Sequence, residues 1–269
     1  AHRVEPEGDG APLSATMSEL VANPKGHYHF LKGIPAFSGG VVADEGYEIV
    51  YVTLVQELPW REGFRRLEAF LEGQEGGKTA LCGIQLRSSK PFTIASFTDF
   101  NRGYRDVMGK WELPVGDLNP VARTNVVPMV NPPEEVVMHA FSYTRCCDLK
   151  LPRTFVTAGA GEVREGRLAT KRIVRVGETT PDALAEKAAH VVGLMRARVE
   201  QLGAEIESTR VVNVYTTHPM RDLAERIVLA GIPAACRHGI NWYLSRPPII
   251  DIEYEMDMRG VREDRWVSL

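Results

Sequence analysis

The order of secondary-structure signals runs twice along this chain, and such a repeat restricts the fold more than any single motif. In the first pass, Tyr47–Val55 (YEIVYVTLV) is dense in β-branched and aromatic residues and predicts a buried strand. Pro59 then opens a helix, where its missing N–H is not needed. Trp60, Phe64, Leu67 and Leu71 follow at helical spacing, and Gly76-Gly77 ends the segment. Thr79–Leu86 reads as a strand, Asp99–Met108 as a short helix, and Ala122–Val130 and Val136–Tyr143 as two closing strands. The second pass begins with strands at Thr154–Val163 and Ala169–Val176. A long helix follows over Pro181–Leu202, capped by Thr180 and terminated by Gly203. Thr209–Tyr215 is a strand, Arg221–Leu229 a helix, and Cys236–Leu244 and Ile249–Met256 the closing pair. In the last strand Ile250, Ile252 and Tyr254 alternate with Asp251, Glu253 and Glu255, which is period two.

Two repeats predict two domains, at 25–148 and 149–260, joined through the polar link Thr144–Arg153. Residues 1–24 read as a flexible N-terminal tail, because Ala1–Thr16 is rich in Gly, Pro and charge, and 261–269 as a polar C-terminal tail. The composition is globular: 44% hydrophobic, 25% charged, net charge −3. The charge offers no basic excess for nucleic acid, and no apolar run approaches a membrane span. The four cysteines form neither CxxC nor a disulfide-dense pattern, so free thiols and a cytoplasmic setting are expected.

Candidate chemistry concentrates on arginines and acids near strand ends. Arg123 and Arg237 each follow a proline by a few residues, Pro120 and Pro233, and each starts a penultimate strand. Arginine is planar, bidentate and always charged, which makes it a carboxylate clamp; a surface ion pair is the alternative for both. Glu253 is the candidate proton shuttle or water-holding group, with Glu255 on the same face as its rival. His218, at a strand end in YTTHPM, is a second acid–base candidate. His27 and His29 lack a third ligand, so no metal is expected. Neither GxGxxG, a P-loop nor GxSxG is present.

With these residues in view, the chain resembles a tandem duplication of the RidA/YjgF family of imine and enamine deaminases, over roughly 25–145 and 154–258. The first half carries the likeness in Ser38-Gly39-Gly40, Asn101 with Tyr104, and Ala122-Arg123-Thr124. The second carries it in Ala158-Gly159, Pro181–Leu202, Val211–Thr217, Arg237 and Ile250–Glu253. The resemblance implies an α/β (α+β) fold of two chorismate-mutase-like domains, each a mixed sheet backed by two helices. It implies Arg237, Glu253 and His218 as catalytic residues and Arg123, Asn101, Gly39 and Gly159 as substrate-binding ones, with no cofactor and a homotrimer as the assembly. Ala140 stands where the first half should carry the family glutamate, so that half looks catalytically incomplete. The implied activity is hydrolytic release of ammonia from a carboxylated enamine or imine. Two arginine clamps favour a dicarboxylate such as 2-aminomuconate, from aromatic degradation. A non-catalytic binder of the same fold, and a hydrolase of a ring amide or carbamate, are the alternatives.

Overall fold

The computed structural model describes residues 18–148, 152–164 and 169–269. Residues 1–17, with most of the expected N-terminal tail, lie outside them. The chain starts with short strands β1 (Leu20–Asn23), β2 (Tyr28–Leu31) and β3 (Gly40–Ala43), so the end of that expected tail is ordered β-structure. Next come β4 (Tyr47–Pro59) and helix α1 (Trp60–Glu72), which buries Trp60, Phe64, Leu67 and Leu71 as their spacing predicts. β5 (Leu81–Arg87) leads into α2 (Ile94–Lys110), capped by the Thr93 hydroxyl accepting from Ser96 N–H. This helix runs beyond Asp99–Met108 at both ends, because Thr93 supplies a cap that the central Gly103 does not cancel. β6 (Ala122–Pro128) and β7 (Val137–Cys146) close the first half.

The second half contains β8 (Phe155–Thr157), β9 (Ala160–Gly161) and α3 (Pro181–Gln201). The strand expected at Ala169–Val176 is instead a single 3₁₀ turn, Thr170–Arg172. Ile173 and Val174 are both buried beside this turn. After β10 (Val211–Thr216) comes a short α4 (Arg221–Leu223) that continues as π-helix over Ala224–Leu229. The strand expected at Cys236–Leu244 is broken. Its first part is the one-turn helix α5 (Ala235–His238), and only β11 (Asn241–Tyr243) is extended. Pro233 and two alanines favour the turn, and Gly239 ends it at φ +82°. β12 (Ser245–Arg246) and β13 (Tyr254–Gly260) follow. The last expected strand therefore starts five residues late. Asp251 sits at φ +73°, and Phe92 pins the preceding loop by accepting from Ile250 N–H and donating to Pro248 O. The expected C-terminal tail contains β14 (Glu263–Val267).

Strand pairing crosses the two halves. One sheet runs β1-β2-β3-β8-β13-β10-β11, with β9 also on β13; the other runs β12-β6-β5-β7-β4-β14. First-half strands β1–β3 thus belong to the second half's sheet, and β12 and β14 belong to the first half's. Each sheet is mixed and backed by helices on one face. Val50, Val52, Ile84 and Leu86 pack under α1 and α2, while Val212, Val214, Tyr254, Met256 and Met258 pack under α3 and the π-helix. Their alternate neighbours point the other way. Ile49, Tyr51, Ala140, Val156 and Ala158 form a third core between the sheets. Beside that core a polar layer is buried, holding Gln85, Asn213, Tyr215 and Asp257. Burying each large apolar side chain contributes about 1.5–3 kcal/mol, so the helix-facing layers anchor both sheets. The inter-sheet layer is where polar chemistry is placed.

Candidate active site

Arg123 stands on central strand β6 and is 2% exposed. Its guanidinium lies 4.4 Å from the Phe37 ring and 4.7 Å from Tyr104, with Phe97 and Phe100 at 5.6 and 5.5 Å. α2 supplies three of these rings because Phe97, Asn101 and Tyr104 share its buried face. Nη2 donates to Asn101 Oδ1 at 2.7 Å. Among the described residues Nη1 is buried and has no hydrogen-bond partner, and neither do Ser38 Oγ, Tyr104 Oη or Asn125 Nδ2. Burial lowers the guanidinium to about 10, against opposing attraction from Tyr104 and Glu255, so it remains a cation at neutral pH. A buried cationic N–H without an acceptor is costly, and a ligand carboxylate is the acceptor that fits it.

The backbone of the second half closes on this strand. Gly159 N–H donates to Arg123 O at 3.1 Å, and Ala158 N–H donates to Gly39 O at 3.1 Å. Arg123, Asn101, Gly39 and Gly159 are therefore neighbours. Gly159 has a steric reason: a Cβ there would stand 2.3 Å from Glu255 Oε1. Glu255 is buried. Its carboxyl is held well above the ordinary range by burial and by the nearby acids Asp257 and Glu162, which outweigh Arg198 and Arg123. Arg198, on α3, donates to Ala158 O at 2.8 Å and is lowered to about 10 by burial.

A second pair lies along the same seam. His218 Nε2 and Glu253 Oε2 are 2.9 Å apart and partly exposed, so these two candidates meet. Glu253 is held from behind: its N–H and that of Tyr254 donate to Glu162, whose carboxylate also pairs with the fully buried Lys187 at 3.1 Å. Ile252, next to Glu253, packs in one cluster with Phe97, which lies under Arg123. Arg237 joins neither group. It lies exposed on α5, with no side-chain hydrogen bond or ion pair among the described residues.

Ala140 is buried between the sheets, but its neighbour His139 pairs with Glu57 at 2.8 Å. Arg198 escaped the sequence reading although a signal existed, since it falls three residues after Met195 on α3's buried stripe. The aromatic cage around Arg123 left no such trace, because Phe37 and α2 meet only in three dimensions. Among the described residues, no group of three His, Cys, Asp or Glu side chains is placed to hold a metal. No helix among them is long and apolar enough to cross a membrane.

A model of the family described as 2-aminomuconate deaminase CnbZ matches residues 20–265. The chain belongs to that family. The match to the CnbZ family spans both sheets and every residue of the seam. A 2-amino-5-chloromuconate deaminase of Comamonas testosteroni is 36% identical over 255 residues, covering 92% of this chain and 99% of that one. Among solved structures, a chorismatase aligns with TM-score 0.47 at 11% identity, over 83% of this chain and 77% of its own. The YjgF gene product of E. coli aligns with TM-score 0.27 at 21% identity, over 43% and 85%.

Proposed function

We propose that this CnbZ-family protein hydrolyses 2-aminomuconate or a ring-cleavage product substituted on the same skeleton, releasing ammonia. The observation that carries the reading is the buried Nη1 of Arg123, without a hydrogen-bond partner among the described residues, joined through the Phe97–Ile252 cluster to a histidine–carboxylate pair. The substrate carboxylate next to the C–N carbon accepts from Nη1, while Asn101 keeps the guanidinium in place. The enamine takes a proton on carbon and gives one up from nitrogen, forming the imine. One ring nitrogen of His218 is engaged by Glu253, and the other takes a proton from water as the water oxygen bonds to the C=N carbon. The resulting carbinolamine collapses. Its nitrogen, already protonated during the addition by the proton His218 took up, receives the hydroxyl proton as the C–N bond breaks, and the products are ammonia and the 2-oxo dicarboxylate.

The test is ammonia release from freshly generated 2-aminomuconate. Arg123→Met is expected to lower kcat/KM by about 10²-fold, from loss of a charge-assisted contact in a buried site. Glu253→Gln is expected to lower kcat by about 10²-fold or more, and Arg237→Ala to stay within about twofold of wild type. Unchanged turnover in Arg123→Met overturns the reading.

A further inference from the structure

Two residues along β6 from Arg123 stands a second buried donor with nothing to bond. β6 pairs in parallel with β5, placing Ile84 opposite Arg123 and Leu86 opposite Asn125. Ile84 and Leu86 both pack in the layer under α1 and α2. Arg123 and Asn125 therefore face the same helices. Asn125 is 3% exposed. Its Oδ1 accepts from the Ser88 hydroxyl at 2.9 Å, which turns the amide so that Nδ2 points away from Ser88. Among the described residues Nδ2 has no hydrogen-bond partner, the same condition as Arg123 Nη1. Two such donors on one strand face are costly unless a ligand supplies the acceptors. Residues i and i+2 of a strand are about 6.6 Å apart. A carboxylate that accepts one hydrogen bond on each oxygen bridges donors up to roughly 8 Å apart. The surroundings also join. Ser88 opens the loop to Phe92, whose ring lies 6.0 Å from Phe97 and 5.5 Å from Phe100. Those two rings flank the Arg123 guanidinium at 5.6 and 5.5 Å, so the loop anchored on Asn125 and the guanidinium share one aromatic cluster.

We propose that Asn125 is a second substrate-binding residue, whose Nδ2 donates to one oxygen of the carboxylate that Arg123 Nη1 holds by the other. This rests on the reading of Arg123 as a carboxylate clamp. Asn101 engages Nη2, so Nη1 is the guanidinium nitrogen left to meet the ligand. A carboxylate held through one nitrogen can still rotate about that contact, and a donor from Asn125 stops the rotation. The substrate carboxylate is conjugated with the C=N carbon beside it. Fixing its plane therefore presents one face of that carbon to the attacking water. An amide suits the task, because it donates to a carboxylate oxygen without adding a second buried charge.

The experiment titrates the intact protein with sorbate, an unreactive six-carbon diene with one carboxylate and no amino group. Asn125→Asp keeps the shape and the oxygen facing Ser88 but puts an acceptor where the donor stands. It is expected to weaken sorbate by about tenfold or more, the worth of a hydrogen bond to a charged group. Wild-type affinity in Asn125→Asp overturns the proposal. Where melting shows that this variant has not folded, Asn125→Ala decides, with a loss of about tenfold expected and an unchanged affinity again fatal. A double-mutant cycle tests whether both donors meet on one carboxylate. Arg123→Met combined with Asn125→Ala should lose less than the product of the single losses, by about threefold or more. A simple product refutes the shared carboxylate. Arg123→Met alone separates this proposal from the reading beneath it. Unaltered sorbate binding in that variant refutes the clamp itself, whereas a loss there with none in the Asn125 variants refutes only the second donor.

Discussion

Glu255 and Asp257 show how two acids on one strand face acquire opposite chemistry. The sequence lists them as equivalent inward residues of an alternating strand, and only their neighbours differ. The consequence for stability has a definite sign. The Glu255 carboxyl titrates well above its ordinary value in the folded state, so between those two values the folded protein binds the proton that the unfolded chain has lost. Stability from this group is therefore complete at low pH and falls as pH rises through that window, by up to about 1.4 kcal/mol per pH unit. Glu255→Gln removes the decline. Urea midpoints at pH 5 and pH 8 should converge in the variant relative to wild type, and an equal spread in both proteins would refute a neutral Glu255. Arg123 illustrates the converse: the family resemblance named it, but its aromatic cage and orphaned Nη1 could not be read from the sequence.

At the scale of elements, α3 does more than cover its sheet. Thr180 caps it, with its hydroxyl accepting from Ala183 N–H at 3.3 Å. Its buried stripe carries Lys187, which donates to Glu162 and to Val174 O. Glu162 in turn accepts the N–H groups of Glu253 and Tyr254, so helix, turn and start of β13 are one hydrogen-bonded unit. Removing one member of a buried pair strands the other charge. Lys187→Met should cost about 3–5 kcal/mol in denaturant unfolding and lower turnover as well, through Glu253. A loss below about 1 kcal/mol would mean that Glu162 simply takes up a proton. The long helix was readable because capping and periodicity act within it. The failed strand at Cys236–Leu244 was not, because a proline, two alanines and a glycine outweighed the apolar residues that followed.

For the whole molecule, the decisive fact is that neither sheet is built from one half of the chain. β14 pairs in parallel with β4 from Glu263↔Val50 to Val267↔Leu54, and β3 sits against β8 from Gly40↔Thr157 to Val42↔Phe155. Heat or denaturant is therefore expected to unfold the chain in one transition by far- and near-UV dichroism. Ending the chain after Gly260 should lower its midpoint measurably, because the Arg145–Glu263 and Arg259–Asp264 pairs go with the strand. Two separated transitions would show instead that the halves fold as independent units.

The sequence by itself determined the mixed α/β class and the two amphipathic helix faces. These follow from local periodicity, capping and turn chemistry, which act over a few residues. It also placed His218 at a strand end and Glu253 within the last strand. Tertiary structure alone decided that Arg237 is exposed on α5, that Glu255 is buried, and that β1–β3 and β14 exchange between sheets. Those outcomes depend on which surfaces meet. An edge strand of polar sequence such as Glu263–Val267 needs only backbone partners, and a carboxyl group keeps or loses its proton according to its burial and the charges that packing brings beside it.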